Sequence, residues 1–259
     1  MSLLRGSLRK IALRPATRNT LIVLLILVVL VYLGLAAVMR ALPPDEGGAE
    51  LEAIFGFPDA YGTLAALLLT FGGLAAAAWA GALAGGEWTW NTFRSAVARG
   101  SSRPGYVLWT LAAVALAALV GWLLVFAVGA GAAIAGGAIV GGPVGDPVAA
   151  ADRLPLLVLA GWWAVSMEAA IGFAVAFIAR SQIAGIAAMV ALYFGEQFGS
   201  IIIPPDLLRY APVTAANTLV SAAGGPPGTA LLAPLAVTTG YLVIAAAAAG
   251  LVARRSEIS

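Results

Sequence analysis

Cysteine and histidine are absent from the 259 residues, and lysine occurs once, at Lys10. Without Cys and His there is no disulfide framework, no thiol nucleophile and no Cys/His metal site. His-dependent intramembrane proteolysis and His-ligated haem transport are excluded with them. A Walker A loop holds phosphates with a glycine-rich turn that ends in Lys-Ser/Thr. Lys10 is followed by Ile11, so the chain is not expected to hydrolyse ATP by itself. Paired-carboxylate motifs of the DDxxD kind are also missing, which argues against a membrane enzyme. Charge is scarce throughout: 10% of residues are Asp, Glu, Lys or Arg, against about 25% in an ordinary soluble domain.

What is present is apolar. Hydrophobic residues make up 62% of the chain, and several runs approach the roughly 20 residues that a membrane-spanning helix needs. The expected fold is a single-domain, all-α polytopic membrane protein with six spans. The runs lie at about 19–39, 61–85, 106 onward, 154–179, 182–203 and 229–252. The third continues to about Val140, and its glycine-rich stretch, 129–145, reads either as an extension or as a bend. The first apolar core exceeds the 7–15 residues of a cleaved signal sequence, so an uncleaved first helix is expected.

Arginine placement orients the spans, because cytoplasmic loops carry an excess of Lys and Arg. With the N-terminus inside, the cytoplasmic segments hold Arg5, Arg9, Lys10, Arg14, Arg18, Arg94, Arg99, Arg103, Arg180, Arg254 and Arg255. The outside keeps Arg40, Arg153 and Arg209, and collects the acids Asp45, Glu46, Glu50, Glu52, Asp59, Asp146, Asp152 and Asp206. A multi-pass protein of the cell membrane with both termini cytoplasmic is expected. In residues 1–14, Leu4, Leu8, Ile11 and Ala12 share one helical face. Such a segment fits an amphipathic helix on the inner leaflet, with Arg5, Arg9 and Arg14 at the membrane surface, or a basic tail that serves topology alone. In the second span Gly73, Ala77, Gly81 and Gly85 recur every four residues, a pattern that lets another backbone approach closely.

The main polar interruption is GEWTWNTFRSAVARGSSR, residues 86–103. Asn91 or Thr92 is placed to cap a short helix that Gly100 ends. Trp88 and Trp90 suit the headgroup region, where the ring is buried and the N–H stays wet. On the residues alone, the stretch is either a loop that serves topology with an aromatic anchor, or one whose Arg94, Arg99 and Arg103 face anionic lipid or an acidic partner.

This stretch resembles the loop of ABC-2-type transporter permeases, in which a glutamate precedes a Gly-Thr-hydrophobic-Arg-like run and then a small residue with Ser-Arg. Glu87, Thr92, Arg94, Arg99, Gly100, Ser102 and Arg103 match that pattern; Asn91 stands where glycine is usual, and Trp109 lies near a position often held by lysine. Arg14-Pro15 is similar to the end of the family's connecting helix, and IIIPPDLLRYAPVTAANTL, 201–219, to its external segment before the last span. The resemblance implies a cytoplasmic connecting helix over 1–18 and a coupling helix within 86–104. On the residues alone, the external segment 204–228 fits short interfacial half-helices broken at Pro212 or an ordered loop; the resemblance implies that it acts as an extracellular gate. Glu87, Trp90, Asn91, Thr92, Phe93, Arg94, Arg99 and Arg103 would then contact a separate ATPase subunit, which would hold ATP and Mg while this chain binds no cofactor. Two permeases, identical or related, would pair with two ATPases in the lipid bilayer; nucleic acid is not an expected partner.

Two carboxylates fall inside predicted spans. Glu168 lacks polar neighbours on its own helical face, so its partner is expected from another helix or subunit. Tyr193, Glu196, Gln197 and Ser200 follow i, i+3, i+4, i+7 on one face. The five residues fit a translocation path or an interhelical hydrogen-bond cluster. An exporter of hydrophobic or amphipathic cargo is the first expectation. An ATP-independent transporter or channel, with Glu168 and Glu196 as ion or proton sites, is the second.

Overall fold

The computed structural model describes residues 2–41, 53–141, 144–149, 151–225 and 229–256. Asp45, Glu46, Glu50 and Glu52 lie outside the described residues, as do small parts of the 129–145 and 204–228 stretches. Among the described residues regular structure is helical, with one isolated bridge between Phe57 and Gly145.

The principal helices among the described residues are, in order, α1 Ser2–Leu13, α2 Pro15–Ala41, α3 Asp59–Thr89, α4 Thr92–Ala98, α5 Arg103–Val140, α6 Leu154–Ala179, α7 Gln182–Gly199, α8 Pro205–Leu208, α9 Pro212–Gly224 and α10 Leu232–Arg255. Within α3, Leu69–Gly73 forms a π-helical turn. Five of them, α2, α3, α5, α6 and α10, are long and apolar enough to cross a membrane. The remaining expected span, α7, has 18 residues, four fewer than the 182–203 run; Ser200 to Ile203 leave the helix in turns.

The helix ends follow from local chemistry. Pro15, Pro104, Pro155, Pro205 and Pro212 sit in first turns, where a missing N–H costs no helical hydrogen bond. Arg180, at φ 54°, ends α6 in the left-handed region, and the Ser181 N–H returns to the Ala176 carbonyl. Ser181 then caps α7, accepting from the Ala184 N–H at 3.4 Å. The glycines of the third apolar run do not break it: α5 continues for 38 residues. Gly129 receives the Leu64 side chain and Gly136 receives Phe55, so these glycines are packing notches, and the helix stops at Gly141, where φ is 78°.

The central helix is α6, buried along most of its length and surrounded by α3, α5, α7, α9 and α10. Outside this core α2 and α1 pack on α5. Outward faces of α2, α5, α7 and α10 carry exposed Ile22, Leu30, Val120, Ile186, Phe194 and Ile244, the surface a lipid solvent requires. The residues of α9, expected as an interfacial half-helix, are largely buried against α6.

Gly73, Ala77, Gly81 and Gly85 face neighbours within the chain. A Cβ on Gly172 of α6 would overlap the Ala77 carbonyl, and one on Gly85 would overlap the Gln182 backbone of α7. Gly172→Ala is therefore expected to destabilise the fold by about 1–3 kcal/mol, the usual cost of overpacking. Gly34→Ala, where a Cβ meets nothing within 4 Å, should leave stability unchanged or slightly raised. Thermal unfolding of the purified variants, followed by circular dichroism, compares the two; equal melting temperatures would remove the close-approach argument.

Candidate functional site

The N-terminal helix, the 86–103 stretch, Arg180 and the end of α10 meet at one end of the bundle. At its centre is Glu87, in the last turns of α3 and 1% exposed. Lys10 of α1 donates to its Oε1 at 2.5 Å, and an Arg14 guanidinium nitrogen lies 3.6 Å from the same oxygen. Tyr106 of α5 donates to Oε2 at 2.5 Å, and the Thr92 hydroxyl of α4 donates there at 2.8 Å. Lys10 also donates to the Tyr106 hydroxyl at 3.0 Å. One carboxylate thus ties four helices together, with both oxygens satisfied by charged or hydroxyl donors.

Rings surround this hub. Phe93 is fully buried between Trp88, Tyr106 and Phe177. The Trp88 indole donates to the Phe177 carbonyl at 3.0 Å while Arg180 lies over its face. Arg14 stacks over Trp90 at 4.9 Å and reaches the Leu83 carbonyl at 3.5 Å. Arg5 and Arg9 occupy the exposed side of α1. Arg14 does not join them; it turns inward because Glu87 and the Trp90 ring offer a charge and a π face.

The loop itself is built on two left-handed residues. Asn91, at φ 52°, ends α3 and starts α4, its carbonyl accepting from the Ser95 N–H. Gly100, at φ 92°, ends α4 with the Gly100 N–H on Val97 and the Ser101 N–H on Ala96, a Schellman arrangement. Of the residues expected at a partner contact, Trp90, Asn91 and Arg99 are exposed, while Thr92, Arg94 and Arg103 are partly covered. Arg103 donates to the Arg254 carbonyl at 3.2 Å. Glu87 and Phe93 do not reach the surface; they hold the loop from behind. Lys10 and Tyr106 were not expected here, and the available signal was an acid followed by two tryptophans with its first cation, Arg94, on the far side of them.

The second group of residues does not gather into one cavity. Glu168 is fully buried in α6 and accepts from the Tyr193 hydroxyl of α7 at 2.9 Å. Glu196 is committed elsewhere: it accepts from the Val213 N–H, the Thr214 N–H and the Thr214 hydroxyl at 2.8–2.9 Å. A carboxylate at the first turn of α9 is favoured by the exposed N–H groups there. Gln197 and Ser200 are exposed, and the Ser200 hydroxyl returns to the Gln197 carbonyl. An open apolar groove of about 510 Å³ is lined by Leu8 and Ile11 of α1, Leu24 of α2, Gly72 and Trp79 of α3 and Leu119 of α5. No group of three or more Asp and Glu residues suited to a metal ion occurs among the described residues.

No family model, curated protein or solved structure matches the chain. The reading of the site therefore stands on its geometry.

Two outcomes test that geometry. Glu87→Ala leaves Lys10 and Tyr106 without their acceptor and should cost about 3 kcal/mol, the lower end for a broken buried pair, because Lys10 keeps some exposure. It should also release α1, seen as faster proteolysis at Arg5 and Arg9; an unchanged digestion pattern would contradict the hub. Asn91→Val should cost about 1–2 kcal/mol for a side chain forced into the left-handed region, and Asn91→Gly should not, as read by thermal unfolding.

Proposed function

We propose that the chain is the membrane-spanning permease subunit of an ABC-2-type ABC transporter, exporting a hydrophobic or amphipathic compound and driven by a separate ATPase. In this reading α7 is the fifth of six spans, the Glu87 end faces the cytoplasm with both termini, and the protein resides in the cell membrane. The observation that carries it is the shape of the 86–103 stretch. A seven-residue helix, α4, is flanked by exposed Trp90, Asn91 and Arg99, while Glu87 fastens its root to α1, α3 and α5. A lever of this kind suits the transfer of motion from a docked subunit, because force on α4 reaches three helices through one carboxylate.

ATP and Mg belong to the partner subunit. Its closure on nucleotide would push α4, turn the end of α3 through Thr92 and Glu87, and change access along the permease pair. The groove beneath α1 suits apolar cargo approaching from the same end. This chain supplies the path and no covalent chemistry. The ATP-independent reading draws on Glu168, whose burial in a central helix is unusual, but Glu196 is already occupied as a helix cap.

The test is a mild-detergent pull-down of the tagged protein from its native membrane. A stoichiometric soluble ATPase is expected. Arg99→Glu, and Arg94→Glu beside it, should weaken its recovery at least about tenfold, or 1.4 kcal/mol, with the permease still folded. Recovery of the intact permease without any ATPase, or a complex indifferent to both reversals, would overturn the assignment.

A further inference from the structure

The middle of α6 holds an arrangement that ATPase-driven motion leaves unused. Glu168 is wholly buried, and among the described residues the ion pairs belong to Glu87. Its Oε2 accepts from the Tyr193 hydroxyl at 2.9 Å, while Oε1 meets no donor. The carboxyl fits because residue 73 is glycine: a Cβ there would fall inside the carboxyl group. Gly73 closes the π-helical turn Leu69–Gly73, and turns of this kind recur at functional sites. The Leu69 carbonyl at the start of that turn lies 3.3 Å from the Tyr193 hydroxyl oxygen. Tyr193 therefore has one hydroxyl hydrogen and two acceptors in reach.

A carboxylate with one donor and no counter-charge is poorly supported inside an apolar bundle, whereas a neutral carboxyl has a hydrogen that must find an acceptor. The three groups accommodate both forms. With Glu168 ionised, the tyrosine O–H donates to Oε2. When a proton binds Oε2, the new O–H donates to the tyrosine oxygen, and the tyrosine hydrogen rotates to the Leu69 carbonyl. One proton is gained, one O–H turns, and no bond between heavy atoms changes.

We propose that Glu168, Tyr193 and the Leu69 carbonyl form a proton-binding switch at the centre of the bundle, with the proton itself as ligand. The surrounding elements offer no competing cation. The π turn of α3 has no titratable side chain, and Asp59, Tyr61 and Glu87 lie towards the ends of that helix. On α7 the other titratable group is Glu196, held by the start of α9, and α9 itself carries none. Tyr241 of α10 donates to the Tyr210 carbonyl, Arg254 and Arg255 lie in the last turn of α10, and Arg103 and Tyr106 of α5 belong to the Glu87 end. The switch acts on α3, the helix that also carries Glu87, so proton uptake at Glu168, felt as a new hydrogen bond at the Leu69 carbonyl, is mechanically connected to the loop. It requires no ATPase and stands apart from the permease assignment.

Infrared difference spectroscopy on the full-length protein in lipid nanodiscs, titrated from acid to alkaline buffer, reads the switch directly. The expected result is a carbonyl band of a neutral carboxyl that vanishes on alkalinisation and is missing in Glu168→Gln. In Tyr193→Phe the band should persist at a shifted frequency, because its hydrogen-bond partner is gone. Should Glu168→Gln fail to fold, carbon-13 glutamate labelling together with the Tyr193→Phe shift makes the same assignment, since Glu168 is the glutamate bonded to Tyr193. A band that ignores pH, the absence of any Glu168-dependent band at every pH, or a band unmoved by Tyr193→Phe would each overturn the proposal. A band that responds to sodium in place of pH would assign the site to a metal cation and overturn it equally.

Discussion

Helices in lipid gain little by hiding apolar side chains from one another, because the solvent is apolar too; close backbone contact has to supply the association. In this protein that constraint falls on α3, α6 and α7. Gly172 receives the Ala77 carbonyl, Gly185 lies against Gly81, and Gly85 meets the start of α7. Three backbones meet where side chains would have kept them apart. Every functional group described depends on this contact. It sets the level of Glu87 at one end of α3, and it leaves the notch at Gly73 into which Glu168 fits.

The two buried glutamates show opposite solutions to one electrostatic problem. Glu87 has cations and hydroxyls from three other helices, so its charge is shared among groups that would otherwise repel or remain unsatisfied. Glu168 has a single phenol and no cation. The first arrangement fixes a structure, because removing the carboxylate strands its cations and leaves the hydroxyls without their acceptor. The second leaves a group whose bonding changes with its protonation. Both acids sit on helices joined by the same glycine contact, so a fixed point and a variable one share a frame.

Much of the frame is legible along the chain, because the apolar runs, the prolines at first turns and the left-handed residues are local signals. The 154–179 run and α6 coincide, and Asn91 and Gly100 bound the short helix they were expected to bound. What escapes local reading is tertiary. Lys10 and Glu87 are 77 positions apart, and nothing near either residue announces the pair. Glu196 reads as part of a polar stripe on α7, yet its oxygens face the start of α9, a contact set by how two helices cross. The glycine-rich stretch from Gly129 reads either as an extension or as a bend, because glycine weakens a helix; Gly129 and Gly136 accept Leu64 and Phe55, and packing decides for the extension. Arg14 reads as a surface charge until the Trp90 ring is placed beneath it.

The uninterrupted length of α5 has a consequence for the outline of the protein. At 1.5 Å per residue, 38 residues extend for about 57 Å, nearly twice the roughly 30 Å of a bilayer's hydrocarbon core. Its first turn is pinned beside Glu87 through Tyr106, and its last turns lie at the opposite end of the bundle. There the small residues of α5 hold Phe55, and Phe57 pairs with Gly145, giving the helix a collar. The extra length of α5 is thus braced by aromatic packing at the end away from Glu87.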